Sequence, residues 1–562
     1  MVLPLSPKRS LSLNRTSHIR IRQAIVLQFV LLASAFIPVS VTGQLNAGGT
    51  PASRTWHADR SQVPVVDLPP PDLAAVAKED ESAGLPYRFA VNLPCDIILG
   101  ERGNWQDLPD GSRICLLTVR SPGAKALSLL FDRFFIPEGG TLHVYSDEMN
   151  EVLGAFTSAN NDPSGLFATQ LVHADRVTLE YHQPPTTAPA PEIRLSGVAY
   201  AYRGFGGAGP CEVNVNCAEG QDYQEVKKGV VRIHAVKNGS GYWCSGSLIN
   251  NTRNDGTPYV LSADHCYKGA SQDDLNQWVF YFSYEETGCA NTPVPPLEKA
   301  MTGATLKARA GDVNTAGSDF LLLLLNDEIP DTFDVFLNGW NRINTPSSSG
   351  VGIHHPQGDV KKISTYKHKV SSTTWTGGGI YTHWLVYWDE TANGHGVTEG
   401  GSSGSVLFDS TGMIVGNLTG GASACDSFSL WEPDYYGKFS YSWVSNGTDS
   451  TEQLKPWLDP DNLGTEILEG MPLAVPTPRA FEHFLVYPNP ATARIRIGSI
   501  EKPGHQPWLV TFIDSRGIVV KSETRSFGNS PEEFDIRSLT PGLYVIRVSG
   551  EGRSMVQKIV KY

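Results

Sequence analysis

Val397-Thr-Glu-Gly-Gly-Ser-Ser-Gly-Ser-Val406 crowds small residues around one hydroxyl and then runs into an apolar segment. Glycines at 401 and 404 open tight-turn conformations closed to residues that carry a Cβ, so the amides of Gly401 and Ser403 can converge on a developing oxyanion. Ser403, between them, is the candidate nucleophile. A Gly/Ser-rich segment alone is equally the mark of a flexible turn. The reading therefore requires a base elsewhere in the chain.

Tyr259-Val-Leu-Ser-Ala-Asp-His-Cys266 supplies it: a short apolar strand ends on His265, with a cysteine directly after. The Ser-Ala-x-His-Cys arrangement resembles the histidine motif of chymotrypsin-like serine proteases. That family runs His, Asp, Ser along the chain, so the acid is expected between His265 and Ser403. In Gly317-Ser-Asp-Phe-Leu-Leu-Leu-Leu-Leu325, Asp319 opens a continuous apolar run. A carboxylate there stands at the mouth of a buried strand, able to accept the proton of the far imidazole nitrogen and fix its tautomer. Asp312, Asp327 and Asp331 lead no such strand and read as loop residues.

The chain has 562 residues, 40% hydrophobic and 18% charged, with 55 Gly and 38 Pro. That length predicts about three or four domains, and a composition poor in charged helix formers and rich in turn residues favours β structure. A formal net charge of −13 without a Lys/Arg-dense block argues against nucleic acid as a partner. Lys8, Arg9, Arg15, Arg20 and Arg22 precede an apolar stretch from Ala24 to Val41, which Gln28 and Pro38 interrupt. This is a signal peptide, residues 1–43, rather than a membrane span. The eight cysteines fit an exported, oxidised chain.

Residues 44–203 read as a propeptide: a Pro-rich leader through Pro69-Pro70-Pro71, then, from near Tyr87, short alternating strands of a β-sandwich in which Cys95 and Cys115 are expected to pair. An independent binding module is the other reading of that unit. A linker from Gln183 to Pro191 leads to Arg203, which stands before a flexible glycine run and marks a cleavage point. The catalytic region, 204–470, holds cysteines 211, 217, 244, 266, 289 and 425, and their spacing alone does not choose the pairing. A linker, 471–484, precedes a last set of alternating strands, 485–562. The tandem His354-His355 suggests a metal site, but no third ligand stands at a recognisable spacing, so no metal and no cofactor is expected.

Cys-x5-Cys, Cys244-Ser-Gly-Ser-Leu-Ile, Asp264-His-Cys266, Ser318-Asp-Phe-Leu-Leu, Ile353-His-His-Pro356, Trp375 before Gly377-Gly-Gly379, the stretch from Gly396 to Ser405 and Trp457-Leu-Asp-Pro460 together resemble the bacterial lysyl endopeptidases, in order, over the whole catalytic region. The resemblance implies an all-β fold with a double β-barrel, chymotrypsin-like protease between two β-sandwiches. It also implies disulfides Cys211–Cys425, Cys217–Cys289 and Cys244–Cys266. Alignment on Cys425 puts Asp434 where that family carries its pocket aspartate, with Glu399 a second candidate; Val397 occupies the position of trypsin's pocket acid. Two positions depart from the family: Thr419 replaces its pocket histidine, and Trp375 matches its pocket tryptophan only across a one-residue insertion. Both departures point to cleavage after Lys with Arg accepted more readily. Ser402 stands where chymotrypsin has the Asp that pairs with the freed N-terminus, so that ion pair cannot form, and latency is expected from the segment before Arg203 covering the site. Tyr487-Pro-Asn-Pro490, Leu539-Thr-Pro-Gly-Leu-Tyr544 and the Lys-containing last strand resemble the C-terminal sorting domain of type IX secretion; a carbohydrate-binding or adhesive module is the alternative.

The expected protein is a secreted or surface-held, monomeric serine endopeptidase made as a zymogen, acting on protein or peptide substrates and exported by the type IX machinery. The rival is an inactive surface adhesin that keeps the barrels for binding. All three triad members sit in their own local motifs, which favours the enzyme.

Overall fold

The computed structural model describes residues 46–82, 87–185, 189–204, 206–292, 299–311, 317–375, 379–473, 484–499, 508–514, 519–527, 531–550 and 553–562. The signal segment, Asp312 and most of the linker at 471–484 lie outside them. The fold is all-β: a double barrel between two β-sandwiches.

The N-terminal sandwich stacks a six-stranded sheet, centred on Arg113–Arg120 and Arg176–Gln183, against a layer made of Tyr87–Ile98, Glu192–Ala201, Ala126–Phe135 and Phe167–Ala168. Leu117, Val119, Phe131, Leu142, Leu179 and Leu195 fill the space between. Strand Glu192–Ala201 alternates exposed and buried positions at first and is buried on both faces at its end. The reason is in the side chains. Val198 and Tyr200 enter the sandwich core, while the small Ala199 and Ala201 lie against the core of the first protease barrel, where a larger residue would hold the two apart.

That second contact comes from a merged sheet. Tyr87–Ile98 pairs antiparallel with Ser240–Ile249 of the protease, Val91 opposite Ser240 and Tyr87 opposite Trp243. This layer of the N-terminal sandwich and the first barrel thus form one eleven-stranded sheet. Phe89, fully buried, stacks on Trp243 with ring centroids 4.0 Å apart and meets the His234 ring edge at 4.9 Å. Gln277 Nε2 donates to Phe131 O at 2.9 Å, and Thr302 Oγ1 to Ala168 O at 3.0 Å.

The first barrel runs from Val230–Lys237 to Phe320–Leu325, and the second is a nine-stranded sheet from Trp340–Asn341 through Asp434–Lys438 to Ile467–Leu468. Cys211–Cys425, Cys217–Cys289 and Cys244–Cys266 are bonded as the family resemblance implies. At the C-terminus a three-stranded and a four-stranded sheet enclose Ile495, Ile497, Val510, Phe512, Phe534 and Ile546.

One expectation is corrected. Cys95 and Cys115 are free thiols rather than a disulfide. They lie on strands of opposite layers, and each sulfur donates to a backbone carbonyl, Cys95 to Leu195 O and Cys115 to Leu99 O. Burial pushes the Cys95 thiol to about 11 and the Cys115 thiol to about 12, away from thiolate chemistry. Unfolding the unreduced chain in the presence of a thiol reagent should titrate two free thiols, those of Cys95 and Cys115; a titre of zero would show that the pair closes after all.

Candidate active site

Strand Tyr259–Ala263 pairs antiparallel with Phe320–Leu325, Ala263 opposite Phe320. This register brings the residues just after the first strand to those just before the second. His265 Nδ1 lies 2.7 Å from Asp319 Oδ2, and the His265 backbone amide donates to Asp319 Oδ1 at 3.0 Å. Asp319 is fully buried and held at φ +59°, a left-handed conformation that costs a non-glycine residue about 1 kcal/mol or more. Its carbonyl accepts from Asp264 N and from Asn417 Nδ2, each at 2.9 Å, so both barrels fix the acid. Asp264 is gripped bidentately by Arg309 at 2.5 and 2.8 Å. Burial outweighs that pairing and raises the Asp264 carboxyl to about 6. Lys237 donates to His265 O at 2.8 Å, and burial lowers its ammonium to about 8.

The turn around Ser403 is clamped from outside. Ser245 N donates to Ser403 O at 2.8 Å, Ser245 Oγ to Gly401 O at 3.0 Å and Gln357 N to Gly400 O at 2.6 Å. Gly401 has φ +99°, and a Cβ there would meet Gln357 N at 2.9 Å; at Gly404, φ +81°, it would meet Ser262 Oγ at 2.2 Å. The amides of Gly401 and Ser403 donate to no acceptor among the described residues. They remain available to an oxyanion. Ser403 Oγ and His265 Nε2 are not hydrogen-bonded to each other, and Nε2 is enclosed without a partner. Nucleophile–base contacts of this kind are often long without substrate and tighten when it binds.

Asp434 is buried, and its Oδ2 accepts from Trp388 Nε1 at 2.6 Å, Ser423 Oγ at 2.6 Å and Thr398 Oγ1 at 2.8 Å. Oδ1 has one longer contact among the described residues, 3.4 Å from Ser423 N. Glu399, the second candidate, is instead engaged by Gly209 N at 3.1 Å and Gln357 Nε2 at 3.1 Å. Beside it Glu212 has both carboxylate oxygens enclosed and unpartnered, and burial together with Glu399 pushes its pKa well up. Glu212, Glu399 and Cys425 bring ligand-type atoms close together, but the Cys425 sulfur is committed to a disulfide.

Thr419 meets a residue that carried no sequence signal. Its hydroxyl lies 3.0 Å from His383 Nε2, and the His383 ring faces Trp375 at 6.0 Å, which in turn meets Tyr435 edge-on at 5.3 Å. His383 is fully buried, and that burial lowers it to about 4, so the imidazole is neutral. The tandem histidines are spoken for by serines and a carbonyl: His354 contacts Ser402 and Ser364, and His355 Nδ1 the carbonyl of Asp359. Ser245, Ser423, Trp388 and Thr398 carried no sequence signal either: Ser245 is one of several serines in its strand, and the other three lie in loops that only the fold brings to the site.

Two barrels meeting at a clamped serine turn, beside a histidine paired with a buried aspartate, define a serine protease of the chymotrypsin-like class. Residues 205–437 match the family profile of the lysyl endopeptidase C-terminal domain, and residues 485–562 that of a secretion system C-terminal sorting domain. The central region is thus similar to the lysyl endopeptidases and carries a type IX sorting domain behind it, so the protein is exported, either secreted or held at the cell surface. A lysyl endopeptidase of Pseudomonas aeruginosa is 29% identical over 371 residues, covering 61% of this chain and 76% of its own. Among solved structures, the protease Anisep of Arthrobacter nicotinovorans aligns at 18% identity and a TM-score of 0.28, over 38% of this chain and 90% of its own. A serine endoprotease of Yersinia pestis aligns at 12% identity and a TM-score of 0.27, over 61% of this chain and 97% of its own.

Burial raises the Asp434 pKa above the ordinary carboxylate value, and the Ser423, Trp388 and Thr398 hydrogen bonds pull it back. With the folded value above the unfolded one, the charged form costs stability at neutral pH, and the cost fades as pH falls through the folded value. A cation held at Asp434, the role that the family resemblance implies, would need that charged form. Affinity for an alkylammonium ligand should therefore drop on the acid side, and Ser423→Ala, which removes a bond to the carboxylate, should move the drop to higher pH. An unmoved acid limb in inhibition assays of the two proteins would contradict this role for Ser423.

Proposed function

We propose that the protein hydrolyses peptide bonds after basic residues, Lys foremost and Arg as well, through His265, Asp319 and Ser403. The observation that carries the reading is the 2.7 Å bond between His265 Nδ1 and Asp319 Oδ2 at the crevice that also holds the Ser403 turn. It leaves Nε2 as the basic nitrogen on the serine side. Ser403 Oγ attacks the scissile carbonyl as His265 Nε2 takes its proton; Asp319 stabilises the imidazolium, and the amides of Gly401 and Ser403 hold the oxyanion. Collapse breaks the C–N bond, the imidazolium protonates the leaving amine, and water then cleaves the acyl ester by the same steps in reverse roles. Asp434 receives the substrate ammonium or guanidinium, with Trp375 and Thr419 lining the approach.

Ser403→Ala should reduce amidase activity to a trace and abolish labelling by a fluorophosphonate probe; substantial residual turnover would favour the adhesin reading. Losing one member of a buried ion pair costs roughly 3 to 5 kcal/mol, so Asp434→Ala should lower kcat/KM on Lys substrates by about 10² to 10³ or more. In a peptide library varied at the residue before the cleaved bond, equal rates for wild type and mutant on Lys would overturn the pocket.

Latency, in this reading, comes from the propeptide strand. The Tyr87 side chain packs so closely over Gly400 that a Cβ on that glycine would meet it at 2.6 Å, and Tyr87 OH contacts Gln357 Oε1 at 3.4 Å. Arg203 is held by Asp80 at 2.8 Å and stacks over the Tyr87 ring at 4.4 Å, so the cleavage point is engaged by the propeptide and not by Asp434 of its own chain. Processing near Arg203-Gly204 then occurs between molecules. Phe89→Asp should loosen the strand and raise activity before processing, whereas an active wild-type form that still carries residues 87–203 at its N-terminus would refute latency of this kind.

A further inference from the structure

The serine before the nucleophile is wired into a closed circuit. Ser402 Oγ lies 2.8 Å from His354 Nδ1 and accepts from Glu399 N at 3.2 Å; His354 Nε2 lies 2.9 Å from Ser364 Oγ, which donates to Val397 O at 2.8 Å. The proton order follows from the ends. Val397 O can only accept, so the Ser364 hydroxyl proton is used there and Ser364 must accept from His354 Nε2–H. Nδ1 is then the bare nitrogen and takes the Ser402 hydroxyl proton, while Ser402 Oγ receives the Glu399 amide. One tautomer satisfies every bond.

Ser402, His354 and Ser364 are each fully buried. The circuit joins both ends of the segment 397–402 to one imidazole on strand Gly350–His354, and Ser403, with its oxyanion amide, follows directly. Burial lowers His354 to about 3, so it is neutral wherever the enzyme works.

We propose that His354 is a positioning residue for the oxyanion site: through the Ser402–His354–Ser364 circuit it holds the amides of Gly401 and Ser403 in their converging arrangement without any charged partner. The inference rests on Ser403 being the nucleophile. A turn locked by neutral, strand-borne groups takes its shape when the barrel folds, whereas an ammonium partner would form it only after cleavage. The propeptide therefore silences a site whose oxyanion donors are already set.

The test uses the processed enzyme. His354→Ala should lower kcat on a Lys amide substrate by about 10²-fold, the scale of losing one oxyanion donor, with KM changed less than about threefold. Affinity for a peptide aldehyde, which forms an oxyanion on Ser403, should fall in parallel, while inhibition by n-butylamine in the pocket stays unchanged. His354→Gln, with one acceptor and one donor, should recover most of the loss. Ser402→Ala and His354→Ala combined should cost little more than the larger single loss, since both break one circuit. A native-like His354→Ala with wild-type kcat, aldehyde and amine affinities falling together, or losses that multiply in the double variant would each overturn the proposal. If His354→Ala does not fold, Ser402→Ala and Ser364→Ala, which remove a single oxygen each, carry the same kcat and aldehyde predictions. Ser403→Ala run alongside separates the cases: if it stays active the nucleophile assignment fails, and if it is dead while the circuit variants are normal only the circuit fails.

Discussion

Everything at the site depends on the two barrels being locked in one alignment, because no single barrel holds the machinery. The first contributes His265 and Asp319, the second the Ser403 turn and Asp434. Three hydrogen bonds cross the crevice at the critical points: Ser245 N to Ser403 O, Ser245 Oγ to Gly401 O, and Asn417 Nδ2 to Asp319 O. Bonds of this kind contribute only about 0.5 to 1.5 kcal/mol each to net stability. Their value is directional: they set the serine turn and the acid on the same frame, and misplacement by about 1 Å is enough to cost catalysis heavily.

The N-terminal sandwich uses the same logic of backbone pairing on a larger scale. Strand Tyr87–Ile98 adds to the edge of Ser240–Ile249, so main-chain bonds supply adhesion that does not depend on side-chain chemistry, and Phe89 in its aromatic slot supplies register. Burying one phenylalanine is worth roughly 1.5 to 3 kcal/mol. The alanines at 90, 126, 199 and 201 let the two layers close on each other. The partnership is therefore built like the interior of one protein, although the chain around Arg203 is a short glycine-rich connection.

Buried charge is handled in two ways. Buried carboxyls are paired or hydrogen-bonded: Asp264 with Arg309, Glu285 with Lys227 and Lys361, Asp434 with three side-chain donors. For Glu285, burial acts to raise the carboxyl, but Lys361 and Lys227 overcome it and hold the group at about 2. Elsewhere burial removes the charge, and His354, on the serine before the candidate nucleophile, and His383 are neutral imidazoles. An unpaired buried ion costs several kcal/mol, so a neutral circuit is the economical way to fix a turn that must itself stabilise a transient negative charge.

The sequence by itself determined what is local. Apolar runs beside His265 and Asp319 located strand ends, glycines at 401 and 404 marked a turn that no Cβ can enter, and alternation marked the sandwiches and barrels as β. The disulfides of the catalytic region came from ordered resemblance over several motifs, which no spacing rule would have chosen. Tertiary structure decided the rest, because those contacts join residues brought together only by barrel closure. Nothing in the tandem His354-His355 pointed to Ser402, 48 positions away, as the partner of the first. His383 reaches Thr419 across 36 positions, and Trp388 reaches Asp434 across 46. Cys95 and Cys115 seemed a natural pair within one unit, but strand placement sends their sulfurs to different carbonyls. The merging of the N-terminal sandwich and the first barrel into one sheet was equally invisible: an edge strand carries no sign of which strand will cover it, since backbone hydrogen bonds are the same for every sequence and only the assembled edges decide which ones meet.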